Sequence, residues 1–341
     1  MDHARFAECL SDHSAMARDA LLDWLPRGDP DPHLYGPMRS FIETSAKGLR
    51  PALVLANCRA FGGDLQDALV SAAALELLHN AFLVHDDIED ESEFRRGQPC
   101  MHTTLGVPLA VNVGDAMQTM PLRLVRRNTE RLPPAVAVRV LDEFDHMLVQ
   151  SIEGQAMELG WIRDNDMAVS PRDYLRMTLK KTCWYSFIHP CRIGAVIAQP
   201  QGLDLDAFNA FGFYLGAAFQ IQEDVLNLVG DQDKYGKEIG GDLYEGKRTL
   251  MLARLFHHAD PGERQTLSRF LATRRHERDA QSVAWVMQRL DRYECIDYAR
   301  KAAGELIGAA RTAFDITYAD ASGEDKDFIG YLIVYVVARN S

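Results

Sequence analysis

The sequence predicts an all-α protein, a single helical bundle running through residues 1–341. Three observations carry that prediction. Apolar residues recur at helical spacing along most of the chain, and few stretches alternate with period two, so a sheet is not expected. Proline and glycine punctuate the helical runs, as at Pro26-Arg27-Gly28-Asp29-Pro30 and Gly62-Gly63. No repeat, low-complexity tract or linker divides the chain, although 341 residues exceed the usual single-domain size.

Composition narrows the function classes. A hydrophobic content of 47% is that of a globular protein and too high for disorder. The net charge of −12 argues against nucleic acid as a partner. It leaves a phosphorylated substrate open, because a pocket is governed by its local charges. No apolar run reaches membrane-spanning length, Ile329 to Val337 being too short, so no integral membrane segment is expected. The start, Met1-Asp2-His3-Ala4-Arg5, lacks a signal pattern. Six scattered cysteines without a Cys-x-x-Cys pair fit free thiols in a reducing cytoplasm.

Taken in order, residues 4 to 25 form an amphipathic helix carrying Trp24, and residues 35 to 46 a second. Pro51 to Phe61 is a third, with Pro51 in its first turn and Gly62-Gly63 stopping it. Asp64 is a plausible N-cap for Leu65 to Glu89, a long and mostly apolar helix that should be central. A short loop at 94 to 100 leads to helices at about 107 to 128 and 134 to 159, followed by a polar loop from Arg163 to Pro171. Helices resume at 172 to 189, 192 to 198 and 204 to 228. Gly230 to Arg248, with five glycines and alternating charges, is too polar for core and is expected to be a mobile loop over a site. Helical spacing returns from 249 to 340.

The chemistry gathers at the end of the long helix. Asp86-Asp87-Ile88-Glu89-Asp90 follows the apolar run Leu75 to Val84, and such a cluster is costly there unless a cation meets it. On a helix Asp86 and Asp90 share a face, a spacing suited to Mg²⁺, which fills its shell with water and substrate phosphates. Arg95 and Arg96 then suit phosphate oxygens. A second acidic set, Glu223, Asp224 and Asn227, lies on another apolar helix and would complete a site for several ions. Taken singly, each cluster is as well explained by a solvated helix end, and each scattered lysine or arginine by a surface charge.

Leu77-Leu78-His79-Asn80-Ala81-Phe82-Leu83-Val84, Asp86-Asp87-Ile88-Glu89-Asp90 and Arg95-Arg96-Gly97 resemble the first aspartate-rich region of the trans-isoprenyl diphosphate synthases. The likeness continues, in order, through Lys47-Gly48-Leu49-Arg50-Pro51, Gly154-Gln155, Lys181-Thr182, Phe219-Gln220, the second acidic region, Gly236-Lys237 and Asp242-Leu243-Tyr244-Glu245-Gly246-Lys247. It implies an isoprenoid synthase bundle with a central active-site cavity, and head-to-tail condensation of isopentenyl diphosphate with an allylic prenyl diphosphate. Asp86, Asp87, Asp90, Glu223 and Asp224 would hold Mg²⁺, three ions with substrate bound. Arg95, Lys181, Lys237 and Lys247 would bind the allylic diphosphate, and Lys47, Arg50, His79 and Arg96 that of isopentenyl diphosphate. Thr182 and Gln220, with Lys181, would serve the reacting centre, their oxygens turned toward the allylic cation. The family also implies a homodimer, for which the helix at 107 to 125 is apolar enough.

Three departures stand out. Glu223 and Asn227 replace the outer aspartates of the second region, which weakens the expectation for the third metal ion. Ser45-Ala46 stand where the family has two glycines, and Gly48 where many members have arginine. Phe82, four residues before Asp86, should press on the growing chain while Ala81 leaves room, with Met117 and Met120 as an adaptable floor. Products of fifteen or twenty carbons fit, and the motif wording favours twenty. A class I terpene cyclase would need Ser and Glu at 231 and 235, where this chain has Asp231 and Tyr235. A non-catalytic subunit should have lost its first cluster, which is kept.

Overall fold

Asp64 starts the longest apolar helix: its carboxylate accepts the Gln66 N–H, and α4 runs Leu65–Glu89. Leu75, Leu77, Leu78, Ala72, Ala74 and Ala81 are all fully buried, so α4 is covered on every side. By length and composition it would also cross a bilayer, contrary to the expectation above. Of that stretch 72% is buried within the protein, which makes it a core helix.

The computed structural model describes residues 1–44, 47–198, 202–230 and 239–338, with the side chains of 337 and 338 left out. In chain order the helices are α1 (His3–Trp24), α2 (Tyr35–Glu43), α3 (Leu49–Ala60), α4, α5 (Met101–Leu105), α6 (Val107–Val125) and α7 (Pro134–Arg163). They continue as α8 (Pro171–Thr178), a π-helical segment Leu179–Ile188, α9 (His189–Ala198) and α10 (Ala207–Val229). The last six are α11 (Gly241–Glu245), α12 (Leu250–His258), α13 (Pro261–Ala272), α14 (Ala280–Arg292), α15 (Cys295–Thr317) and α16 (Gly323–Ala338).

The chain forms two compact units. The first comprises Met1–Met147, Tyr185–Asn209 and Ala313–Leu332. In it α4 packs against α1, α3 and α6, and α3 also packs against α9. Phe6 of α1 stacks on Phe328 of α16, ring centres 4.9 Å apart. Asp325 accepts from His13 at 2.7 Å and pairs with Arg59, which ties α1, α3 and α16 together. The second unit comprises Leu148–Trp184, Ala210–Thr312 and Ile333–Ser341. Its core gathers Tyr174 and Met177 of α8, Ile221 and Val225 of α10, Leu243 of α11 and Leu252 of α12, with apolar faces of α13, α14 and α15.

The all-α expectation holds, with two local departures. Phe94–Arg95 and Gln98–Pro99 pair as a minimal antiparallel hairpin. Arg96 (φ 52°) and Gly97 (φ 74°) turn it, both with the left-handed backbone that two-residue hairpin loops require. The second departure is helical continuity from 171 to 198, where the sequence suggested a break near 190. Pro190 has no N–H, and its ring would clash with the carbonyl four residues back in an α-turn. The wider π turns lie immediately before it.

Gly230 to Arg248 is not a loop throughout. Gly241–Glu245 is the helix α11, Leu243 is buried, and Arg248 is 1% exposed. The Arg248 guanidinium donates to the Asp166 carbonyl (3.2 Å) and Asn165 Oδ1 (2.8 Å). Buried hydrogen bonds of this kind replace the solvation that the segment's polarity seemed to demand. Residues 231–238, with Asp231, Tyr235, Gly236 and Lys237, lie outside the described residues, as do Ser45 and Ala46.

Candidate active site

The first acidic cluster sits at the C-terminus of α4, where carbonyl dipoles already make the environment negative and no basic residue occupies the last turn. Asp90 is just past the helix, as its C-cap. Glu91 then takes a left-handed backbone (φ 52°), its N–H donating to the Ile88 carbonyl and the Ser92 N–H to the Asp87 carbonyl. This is a Schellman closure with glutamate where glycine is usual. Asp87 is 1% exposed; its Oδ1 accepts the Arg95 Nε–H at 2.5 Å. Burial pushes the Asp87 carboxyl pKa up, and Arg95 opposes this. Arg95 also lies 3.7 Å from Asp86 Oδ2. Among the described residues Asp87 Oδ2 is buried with no hydrogen-bond partner.

Among the described residues no three His, Cys, Asp or Glu side chains converge as a ready-made metal cage. The donor set nonetheless suits Mg²⁺. It is all oxygen, two carboxylates four residues apart at a negative helix end, with an orphaned buried oxygen beside them. Substrate phosphates and water supply the rest of such a shell.

Within the same unit Arg50, His79 and Phe82 converge on one aromatic ring, that of Tyr185. Arg50 donates from Nη2 to Tyr185 Oη at 2.9 Å and from Nε to Ser186 Oγ at 3.1 Å. Its guanidinium carbon lies 4.5 Å from the Tyr185 ring centre. Arg50 Nη1 is 3.1 Å from His79 Nε2. Burial, with Arg50 and Arg96 adding to it, holds His79 well below the usual histidine range, so the ring is neutral. Arginine can only donate, so Nε2 accepts and the proton sits on Nδ1, which is buried without a partner. Phe82 meets Tyr185 edge-on at 5.4 Å. Among the described residues Arg96 makes long contacts, 3.4 Å to Asn80 Oδ1 and 3.5 Å to the Thr44 carbonyl, and its guanidinium carbon lies 5.7 Å from the Phe41 ring centre. Lys47 is exposed. Ala81, Met117 and Met120 are buried in the core around α4 and α6.

The second unit holds the other set. Thr182 donates its hydroxyl to Gln220 Oε1 (3.0 Å), and Gln220 Nε2 donates to Asp224 Oδ1 (2.8 Å). Tyr174 Oη donates to Asp224 Oδ2 at 2.7 Å. Burial lifts the Asp224 pKa to about 6 against these hydrogen bonds. Lys181 pairs with Glu158. Gly154 lets α7 reach the π-helical segment, since a Cβ there would lie 2.3 Å from the Lys181 nitrogen. Asn227 is engaged with backbone: its Oδ1 accepts the Asp242 N–H (3.0 Å) and its carbonyl the Gly240 N–H (2.6 Å). Lys247 Nζ lies 2.7 Å from Glu245, which also pairs with Arg275 at 3.0 Å.

Tyr185, Ser186 and Tyr174 were missed from sequence. A hint was available for the first two, because Tyr185-Ser186 follow Lys181-Thr182 by one helical turn. Tyr174 looked like ordinary core.

Residues 31–290 match the polyprenyl synthetase family. A short chain isoprenyl diphosphate synthase of Methanothermobacter thermautotrophicus is 32% identical over 91% of this chain and 92% of its own. A geranylgeranyl pyrophosphate synthase of Geoglobus acetivorans is 29% identical over 98% and 99%. The crystal structure of a geranylgeranyl pyrophosphate synthetase from Pyrococcus horikoshii superposes with a TM-score of 0.86, at 30% identity, covering 98% of both chains.

Proposed function

The chain belongs to the polyprenyl synthetase family and is a short-chain trans-prenyltransferase, and we propose that it joins isopentenyl diphosphate to an allylic diphosphate, favouring a twenty-carbon product. The observation that carries this reading is the cationic set built around the first cluster. Arg95 is held on Asp86 and Asp87, while Arg50 and neutral His79 are held on Tyr185. A site of carboxylates and adjacent guanidinium groups suits a metal–diphosphate ligand.

Asp86 of α4 and its C-cap Asp90, with Asp87 beside them, would hold Mg²⁺, and so would Glu223 and Asp224 of α10. The ion held by these carboxylates would neutralise charge on the departing diphosphate. Arg95, Lys181 and Lys247, with Lys237 outside the described residues, bind the allylic diphosphate. Lys47, Arg50, His79 and Arg96 orient isopentenyl diphosphate, with the His79 Nδ1–H a ready donor. The Thr182 and Gln220 oxygens stabilise the allylic cation after the carbon–oxygen bond breaks. The double bond attacks that cation, and the proton lost afterwards passes to the released diphosphate. Phe82, braced by Tyr185, limits chain growth.

We also place the enzyme in the cytoplasm, working from end to end as one synthase domain and as a homodimer. Six buried cysteines, none in a disulfide, suit a reducing compartment. Val107 and Val111 of α6 and Val138 of α7 are exposed apolar residues that a second copy would cover; sedimentation at micromolar concentration checks the dimer.

The deciding experiment supplies purified protein with Mg²⁺, labelled isopentenyl diphosphate and each allylic primer. The expected outcome is elongation ending at twenty carbons. A cyclic hydrocarbon from geranylgeranyl diphosphate alone would indicate a cyclase, and failure to elongate any of the primers would overturn the reading.

A further inference from the structure

Arg278 lies between the short 3₁₀ turn Arg275–Glu277 and α14, outside every motif considered so far. It is 8% exposed, and among the described residues none of its hydrogen bonds goes to a carboxylate. Its guanidinium instead donates to four main-chain carbonyls. Nη1 reaches Leu243 (2.9 Å) and Tyr244 (2.5 Å) of α11, Nη2 reaches Leu271 (2.9 Å) of α13, and Nε reaches Phe270 (3.3 Å) of α13. One cation thus joins the carbonyl ends of two helices, where a positive charge is favourable. The planar fork makes this possible, and an ammonium could not span it.

What Arg278 holds on the α11 side is the turn that presents Lys247. Gly246 has φ +75°, and the Lys247 N–H donates to the Asp242 carbonyl at 2.9 Å, closing the helix. A Cβ on Gly246 would come within 2.8 Å of the Arg278 guanidinium, so the turn packs directly on it. At the other end α11 is held by Asn227 through the Asp242 N–H. Arg275 supplies the electrostatic counterpart. It pairs with Glu245, so that carboxylate keeps a partner when Lys247 swings to an anion.

We propose that Arg278 is a positioning residue for diphosphate binding, fixing the α11–Lys247 turn so that the Lys247 ammonium is presented in one place, with Arg275 neutralising Glu245 behind it. This rests on the reading of Lys247 as a ligand of the allylic diphosphate. It makes Asn227, at the altered position of the second acidic region, the anchor for the opposite end of the same helix.

The test is R278K in the full-length enzyme, assayed beside wild type, K247A and the double variant. R278K should raise KM for the allylic diphosphate about tenfold, with KM for isopentenyl diphosphate within about twofold of wild type. Added to K247A it should change KM for the allylic substrate little further, because both act through one side chain. Full additivity in that cycle, or equal rises in both KM values, overturns the proposal. A lower Tm with unchanged KM values assigns Arg278 to stability alone and also overturns it. If R278K fails to fold, G246A perturbs the same contact from the opposite side and carries the same expectation. The outcomes separate from failure of the activity itself, since a wild-type enzyme that elongates nothing refutes the functional reading before any variant is compared.

Discussion

The two acidic clusters hold their buried aspartates in opposite ways. Asp87, on α4, is met by a full positive charge from Arg95. Asp224, on α10, is hydrogen-bonded among the described residues by neutral donors, the Tyr174 hydroxyl and the Gln220 amide, and the Lys247 charge acts on it without a direct bond. A buried ion pair tolerates no loss of one partner, because the other charge is left stranded. A carboxylate held by neutral donors loses one hydrogen bond at a time, and burial already draws Asp224 toward protonation, with a pKa of about 6. The first cluster is thus the rigid, charge-committed half, and the second the more tolerant one. This matches where the sequence departs from the family pattern, at Glu223 and Asn227 of the second cluster and nowhere among the aspartates of the first.

The largest effect expected of this asymmetry is on turnover. Asp86→Ala should lower kcat by at least about a thousandfold while leaving the fold intact, because a metal-binding carboxylate is lost. Asn227→Ala, which removes an anchor for α11 and no carboxylate, should lower kcat/KM only about tenfold. Steady-state kinetics of the two variants side by side would break the comparison if their losses were equal. Next in size is Arg95→Met, expected to destabilise by about 3–5 kcal/mol because Asp87 is left buried and unpaired. Tyr174→Phe should lose about 1–3 kcal/mol, a single hydrogen bond to a charged group. Urea unfolding at pH 7 gives both, and a reversed order would contradict the assignment of charge-committed and tolerant halves.

The first unit repeats its reliance on charge away from the cluster. Glu143 is 7% exposed and accepts from His189 at 2.6 Å and from both arms of Arg192 at 2.8 Å. Burial alone would raise its pKa, but these donors win and hold it at about 2. A carboxyl depressed on folding stabilises the native state above its unfolded pKa and loses that contribution as pH falls toward the folded value. Burial also depresses His189, and the unfolded chain then binds a proton the native state refuses, so acid destabilises through this group too. Wild-type stability should therefore fall by about 3 kcal/mol through Glu143 as pH drops from 7 toward 2, with a further loss in the same direction through His189. Glu143→Gln should start lower at pH 7 and fall less. Denaturant midpoints at several pH values check this, and parallel curves for the two proteins would remove Glu143 as the cause.

The legible part of the fold was the part governed by local chemistry. Asp64 as N-cap and the unbroken apolar run placed α4 within its true limits, and the acidic spacing picked out Asp86 and Asp90 at its end. The π-helical segment was not legible, because nothing in Leu179–Ile188 departs from helical composition and only Pro190 hints at the change. Nor was α11. Its polarity and glycines suggest a loop, whereas its order comes from Arg248 and from Arg278, more than thirty residues beyond it in sequence. Tyr185 was hidden for a similar reason: its role lies in what Arg50, His79 and Phe82 bring to it from other helices.

The smallest prediction returns to how each region closes its helix. The turn after α4 and the turn after α11 are both Schellman closures, each needing one residue with a left-handed backbone. At α11 that residue is Gly246 (φ 75°), and at α4 it is Glu91 (φ 52°), whose Cβ makes the same conformation unfavourable. The charge-committed cluster therefore sits beside a locally strained turn, and the tolerant one beside a relaxed turn. Glu91→Gly should remove that strain and stabilise the protein by about 0.5–1 kcal/mol, the added freedom of glycine in the unfolded chain offsetting part of the gain. Gly246→Ala should do the reverse and by more, since it meets the Arg278 guanidinium as well as the unfavourable φ. Thermal and urea unfolding of the two variants measure both signs. A destabilised Glu91→Gly would mean that the Glu91 side chain contributes more than its backbone strain removes, and backbone strain would then not distinguish the two closures.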